Sequence, residues 1–147
     1  MDWFKLNFNG LNVLQLYQIM ALRSEVFIVE QNCVYQDADE KDINGFHVFG
    51  VSKNEVLAYS RILPPGVSYE QPSIGRVVTS GKIRGNGFGK ILMQHSINFC
   101  HELFPQMDIV ISAQQYLERF YIDLGFVKIS EMYLEDNIPH IKMKLKF

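Results

Sequence analysis

The chain has 147 residues, 48% of them hydrophobic, with a formal net charge of −2 and an isoelectric point near 6.1. That length favours one domain, 1–147, and the hydrophobic content supplies a full core without disulfides. The charge balance sets aside wholesale nucleic-acid binding, which needs a basic face; no apolar run is long enough to span a bilayer; and two distant cysteines with no secretory leader point to the reducing cytoplasm.

Trp3 to Phe8 alternates as a first strand should, and Asn9-Gly10 makes a turn. Asn12 is placed to cap a helix over about 12–28, where Leu14, Tyr17, Ala21 and Leu22 keep helical spacing. Residues 32–44 are polar and acidic and predict a loop or short helix. An EF-hand counted from Asp37 would need glycine sixth and glutamate twelfth; the chain has Asp42 and Val48. No His/Cys spacing matches zinc either, so no metal is expected. Asp37, Asp39, Glu40 and Asp42 therefore predict a solvated loop, with attraction of a cationic amine as a lesser reading. Phe46 to Val51 and Val56 to Leu63 are strands joined by a turn at Lys53-Asn54, and Pro64-Pro65-Gly66 ends the second. Ile74 to Thr79 is the next strand.

The segment after that strand carries glycines on alternate positions, Gly85, Gly87 and Gly89, between Arg84 and Lys90. Strand, glycine loop and helix start together suit a phosphate-bearing ligand, because free N–H groups and the helix dipole favour an anion there. Two common phosphate loops are excluded by spacing. A Walker A loop would need glycine at 84 and a hydroxyl at 91, where Arg84 and Ile91 stand. A dinucleotide fingerprint would need G-x-G-x-x-G directly after the strand, and five residues separate Thr79 from Gly85.

Phe88, Ile91, Leu92, His95 and Phe99 then mark one helical face, with His95 packed and His101 at the surface. Ile109 to Ile111 reads as a short buried strand. A helix at 115–124 and a strand at 126–134 follow. The last strand, about 139–146, alternates Ile141, Met143 and Leu145 with Lys142, Lys144 and Lys146.

The run Arg84-Gly85-Asn86-Gly87-Phe88-Gly89 resembles the R/Q-x-x-G-x-G/A signature of the Gcn5-related N-acetyltransferase (GNAT) superfamily. Gln114 to Phe126 is similar to its second motif: Phe120-Tyr121 and Gly125-Phe126 stand at matching places, while Gln114 replaces the usual Asn and Leu117 the usual Ala. The segments Leu22–Gln31, Tyr59–Leu63, Ile74–Val77 and Ile138–Ile141 extend the likeness over nearly the whole chain, to the ElaA group of small bacterial acetyltransferases.

The resemblance implies an α/β fold, a mixed sheet with helices on both faces and a splay between the Ile74–Thr79 and Ile109–Ile111 strands. It implies acetyl-CoA as co-substrate and transfer of the acetyl group to an amine on a small molecule or peptide. Val77, Val78 and Thr79 would pair with the pantetheine arm, and an N–H near Val78 or Thr79 would polarise the thioester carbonyl. Arg84, Gly85, Asn86, Gly87, Phe88, Gly89 and Lys90 would hold the pyrophosphate, with Gln114 and Phe120 as further cofactor contacts. Tyr121 takes the place of the general acid. The base is open among Glu30, His47 and His140, and a water chain to bulk solvent would serve as well. Relatives of this kind commonly form homodimers. Two alternatives remain: a non-catalytic acyl-CoA-binding module, and an acyl-homoserine-lactone synthase, whose Arg-x-x-x-Phe opening Arg23 and Phe27 match.

Overall fold

The computed structural model describes residues 1–147. Strand β1 (Asp2–Asn7) leads into helix α1 (Val13–Arg23). The helix starts where Asn12 and Gln15 cap reciprocally: the Gln15 N–H donates to Asn12 Oδ1 at 2.7 Å, and the Asn12 N–H to Gln15 Oε1 at 2.9 Å. The helix expected to reach residue 28 changes form after Arg23, widening into a π-helical turn, Ser24–Glu30. Its buried face also differs from the expected one. Ile19, Leu22 and Val26 are buried, while Leu14, Tyr17 and Ala21 face solvent.

β2 (Phe46–Ser52) and β3 (Glu55–Leu63) form a hairpin. Its turn residues Lys53 and Asn54 have φ of 51° and 63°, the paired left-handed geometry that matches strand twist. β4 (Ser73–Thr79) completes an antiparallel sheet in the order β1-β2-β3-β4. Helix α2 (Phe88–Leu103) crosses to β5 (Ile109–Gln114). A short 3-10 turn and α3 (Glu118–Asp123) follow, then β6 (Val127–Lys128), β7 (Tyr133–Glu135) and β8 (Ile138–Leu145). β5, β8 and β6 make a second antiparallel sheet, with β7 also on β8. The long strand expected over 126–134 is thus two short pieces. Between them the Ser130 hydroxyl accepts the Lys142 N–H at 2.9 Å, taking the place of a ladder carbonyl.

Alternation along β2 and β3 sorts the core by face. Val48, Ala58 and Ile62 pack with Leu92 and Met93 of α2, and with Ile111, Ile141 and Met143 of the second sheet. Phe49, Val56 and Tyr59 pack with Ile19 and Leu22 of α1. Helices therefore cover opposite faces, as expected. The buried face of α2 is Leu92, Met93, Ser96 and Cys100, centred slightly away from the expected one, and His95 stacks on Trp3 at 4.8 Å.

Every strand ladder is antiparallel. The mixed character of the expected sheet is confined to β4 and β5, which are neighbours but not a ladder. At their starts the Val110 N–H donates to the Pro72 carbonyl at 3.1 Å. From that shared start both strands run the same way and part toward Thr79 and Gln114. This is the expected splay, and it opens the sheet at the carboxyl ends of two strands, where open α/β sheets bind ligands.

Candidate active site

A cleft of about 730 Å³ lies where β4 and β5 separate. Its lining comes from both faces of the sheet. Phe120 and Tyr121 reach it from the α2 side, where they pack with the larger core. Ser112 and Gln114 of β5, and His140 of β8, reach it from the other side, because Ile111, Ala113, Ile141 and Met143 occupy the alternate, core-facing positions. Register brings Gln114, His140 and Tyr133 side by side. The opening is thus a passage through the sheet, with a different chemical lining at each end.

Tyr121 is 5% exposed. Its ring is fixed by edge contacts with Phe120 at 5.0 Å and Phe126 at 5.8 Å. Its hydroxyl has no hydrogen-bond partner within the protein and is not sealed, since the residue lines the cleft. Burial, and after it the nearby Tyr116, holds its pKa well above the usual phenol range. At neutral pH it is a protonated donor aimed into the opening.

The glycine loop forms the rim. Gly85 and Gly87 have φ of 82° and 80°, which L side chains rarely adopt, and nothing lies within 4 Å of where their Cβ atoms would be. Gly87 is the N-cap of α2 and supplies no side-chain cap, so the first helical N–H groups point out unmet. The loop is held from within by Asn86, whose Nδ2 donates to the carbonyls of Ile83 at 3.1 Å and Arg84 at 3.3 Å. Lys90 is exposed and has no ion-pair partner. Arg84 is turned back: its Nε and Nη2 donate to the Thr79 carbonyl at 3.2 and 2.9 Å, and its Nη1 donates to Glu30 Oε1 at 2.6 Å. Along β4 the register slips between Tyr59 and Arg61, and Arg76 adopts φ 50°. The extra residue of this bulge leaves part of the Arg76–Val77 backbone out of the ladder at the cleft wall.

The acidic segment is not a solvated loop. Asp37 and Asp42 are buried and Asp39 is half-buried, interleaved with three arginines. Arg23 meets Asp37 at 2.8 Å and Asp42 at 2.7 Å; Arg61 meets Asp39 at 2.7 Å and Asp42 at 2.8 Å; Arg76 meets Asp37 at 2.8 Å. Burial favours the neutral acid at Asp42, but the Arg23 and Arg61 guanidiniums outweigh it and hold the pKa below the ordinary carboxylate range. The same balance, with Arg61 and Arg76, lowers that of Asp39. The network straps residues 37–42 against β3 and β4; Asp39, 25% exposed, still lines the cleft, and Glu40 lies outside the network.

Among the expected site residues, Glu30, Val77, Val78, Thr79, Arg84, Gly89, Gln114, Phe120, Tyr121 and His140 line the cleft. Gly85, Asn86, Gly87, Phe88 and Lys90 belong to the rim beside it. His47 does not join them. It is 1% exposed and accepts the Tyr59 hydroxyl at Nδ1 (2.7 Å) while its Nε2–H donates to the Asp42 carbonyl (3.0 Å). Burial lowers its pKa. It is a neutral brace for the aspartate loop, too far inside to meet a substrate. His140 lines the cleft, but its Nδ1–H donates to the Ile138 carbonyl at 2.7 Å and its Nε2 faces Glu135 Oε2 at 3.4 Å. Arg61, Arg76, Tyr35 and Glu135 also line the cleft and were missed. The family-likeness segments Tyr59–Leu63 and Ile74–Val77 contained Arg61 and Arg76, without a role; Tyr35 and Glu135 carried no signal.

A sheet parted between two strands, a glycine loop capping a helix at one lip and a phenol at the floor define an acyltransferase of the GNAT class. Residues 23–147 match the family model described as an acetyltransferase (GNAT) domain, and the chain belongs to that family. It is 41% identical over 144 residues to the protein ElaA of Escherichia coli strain K12, covering 97% of this chain and 94% of that protein. The crystal structure of E. coli ElaA matches with a TM-score of 0.93 at 39% identity, covering 99% of each chain. An acyl-CoA N-acyltransferase from Pseudomonas aeruginosa matches equally well, with a TM-score of 0.93 at 39% identity over 98% of each chain. No helix is long and apolar enough to cross a membrane, and no group of three or more His, Cys, Asp or Glu side chains is arranged to hold a metal.

Proposed function

We propose that this chain, as one domain over 1–147, transfers the acetyl group of acetyl-CoA to a primary amine by direct attack on the thioester. The supporting observation is the unpartnered Tyr121 hydroxyl at the floor of a passage whose rim is a helix N-terminus with exposed N–H groups. Acetyl-CoA supplies the activated acyl carbon. The first N–H groups of α2, with Lys90 and Arg84, meet the diphosphate negative charge. The edge of β4 away from β3, along Val77 to Thr79, offers donors to the carbonyl oxygen. Phe120 and Phe126 hold Tyr121 in place.

The amine nitrogen bonds to the acyl carbon, the carbon–sulfur bond breaks, and Tyr121 donates its proton toward sulfur as negative charge builds there. The proton shed by nitrogen leaves through the open mouth of the cleft to water. Because the Tyr121 pKa is raised, its value lies in holding a proton ready at all ordinary pH rather than in acid strength. The unpaired Cys33 and Cys100 fit a reducing, cytoplasmic setting.

The test is Tyr121→Phe assayed for CoA release over a broad amine panel. Turnover at saturating acetyl-CoA should fall about 10²-fold or more, with CoA affinity by calorimetry changed less than about twofold. An unchanged rate with the best amine removes Tyr121 from the chemistry. A wild-type protein that binds CoA yet releases none from acetyl-CoA with any amine is a binding module instead.

A further inference from the structure

Glu30 closes the π-helical turn and stands on the cleft wall. Its carboxylate takes the Arg84 guanidinium in a fork, with Oε1 at 2.6 Å from Nη1 and Oε2 at 3.4 Å from Nη2. Arg84 is the arginine of the glycine loop, so the cation that a diphosphate would recruit is already held by a protein carboxylate. Both side chains are substantially exposed, 44% for Arg84 and 37% for Glu30, so the pair is weak and open to exchange. The next residue is fixed independently: Gln31 and Gln114 exchange amide hydrogen bonds at 3.3 Å in both directions. Cys33 then donates its thiol to the Asp136 carbonyl at 3.3 Å. Residues 30–33 therefore bridge three walls: the β4 rim through Arg84, the end of β5 through Gln114, and the β7–β8 hairpin through Asp136.

From this bridge, and resting on the acetyl-transfer reading above, we infer that Glu30 is a coupling residue between the two substrates. The diphosphate displaces Glu30 from Arg84, and the freed carboxylate is then available to the ammonium form of the acceptor. The Gln31–Gln114 pair keeps Glu30 at the wall when its partner is taken, so the negative charge is passed to the acceptor side rather than lost to solvent. Until the arginine is taken the carboxylate is partly neutralised, so each substrate binds more tightly once the other is in place. The coupling is reciprocal: an amine bound to Glu30 leaves Arg84 to the diphosphate.

Glu30→Gln keeps the shape and removes the charge. It should tighten CoA two- to fivefold in calorimetry, the range expected for losing one exposed competing ion pair. It should also raise KM for the best amine severalfold, with kcat within about twofold. These opposite signs are not what a merely structural residue would give. The control is the same change in an Arg84→Ala background, where the tightening should vanish. Equal tightening without Arg84 would mean simple removal of negative charge near an anion, and would overturn the coupling. So would unchanged CoA affinity, or an unchanged amine KM. Those outcomes leave acetyl transfer standing, whereas absence of CoA binding to the wild type overturns both.

Discussion

Arg23 carries a full charge with no surface to solvent, and everything around it answers to that. It sits on the last turn of α1, reaches across to Asp37 and Asp42, and lays its guanidinium 5.7 Å from the centre of the Tyr59 ring. Removing one partner from a buried ion pair leaves the other charge uncompensated, which costs more than the pair contributes. Arg23→Ala should therefore lower unfolding free energy by about 3–5 kcal/mol in urea titration; a loss under about 1 kcal/mol would show the aspartates to be hydrated after all. Arg76 shows the same economy at a strained site. Its φ of 50° is sparsely populated for a non-glycine residue, and its ion pairs with Asp37 and Asp39 hold it there.

At the scale of elements, the glycine loop separates two reasons for glycine. Gly87 needs its residue type for backbone conformation, φ 80° with open space around it. Gly89 is helical, and an added Cβ would meet the Phe120 ring at 3.7 Å, an ordinary contact. Gly87→Ala should cost the loop geometry about 1–2 kcal/mol and weaken CoA about five- to thirtyfold. Gly89→Ala should weaken it less than about threefold. Calorimetry on the two variants decides this, and equal losses would mean that close approach of the ligand, not φ, sets the need for glycine throughout the loop. The π-helical turn is the other element that matters, because it carries Val26, Phe27 and Glu30 to the cleft. Its residues, Ser24–Glu30, read as plain helix in the sequence, since a period of 3.6 and a wider turn share most of their spacing over seven residues.

For the molecule as a whole, two histidines make stability depend on pH. Burial lowers the pKa of His47, and burial followed by the charge of Lys5 lowers that of His95. Below about 6.5 the unfolded chain binds protons there that the folded chain does not, so stability is complete above that value and is lost as pH falls beneath it. The aspartates add to this only lower, beneath about 3.8, where their ordinary carboxylates protonate. Urea midpoints should be flat from pH 8 to 7 and decline from about 6.5 toward 5, and His47→Gln should flatten that decline; a variant that declines as steeply as the wild type would remove His47 as its cause. The strands other than the one expected over 126–134, the two motif-bearing helices and the glycine loop were legible in the sequence because each rests on local signals: alternation, caps and residues that free the backbone. Tyr121 was singled out by the family motif that contains it, and it lines the cleft. The acidic segment was not, since its charge partners Arg23, Arg61 and Arg76 come from α1, β3 and β4 and only folding brings them within 3 Å. Nor was the fate of His47, whose neighbours are 12 residues away at Tyr59 and 5 at Asp42. Sequence alone determined where the backbone is regular and where it is open; which charges are buried, and which are left to meet a substrate, was decided by desolvation and pairing in the tertiary structure.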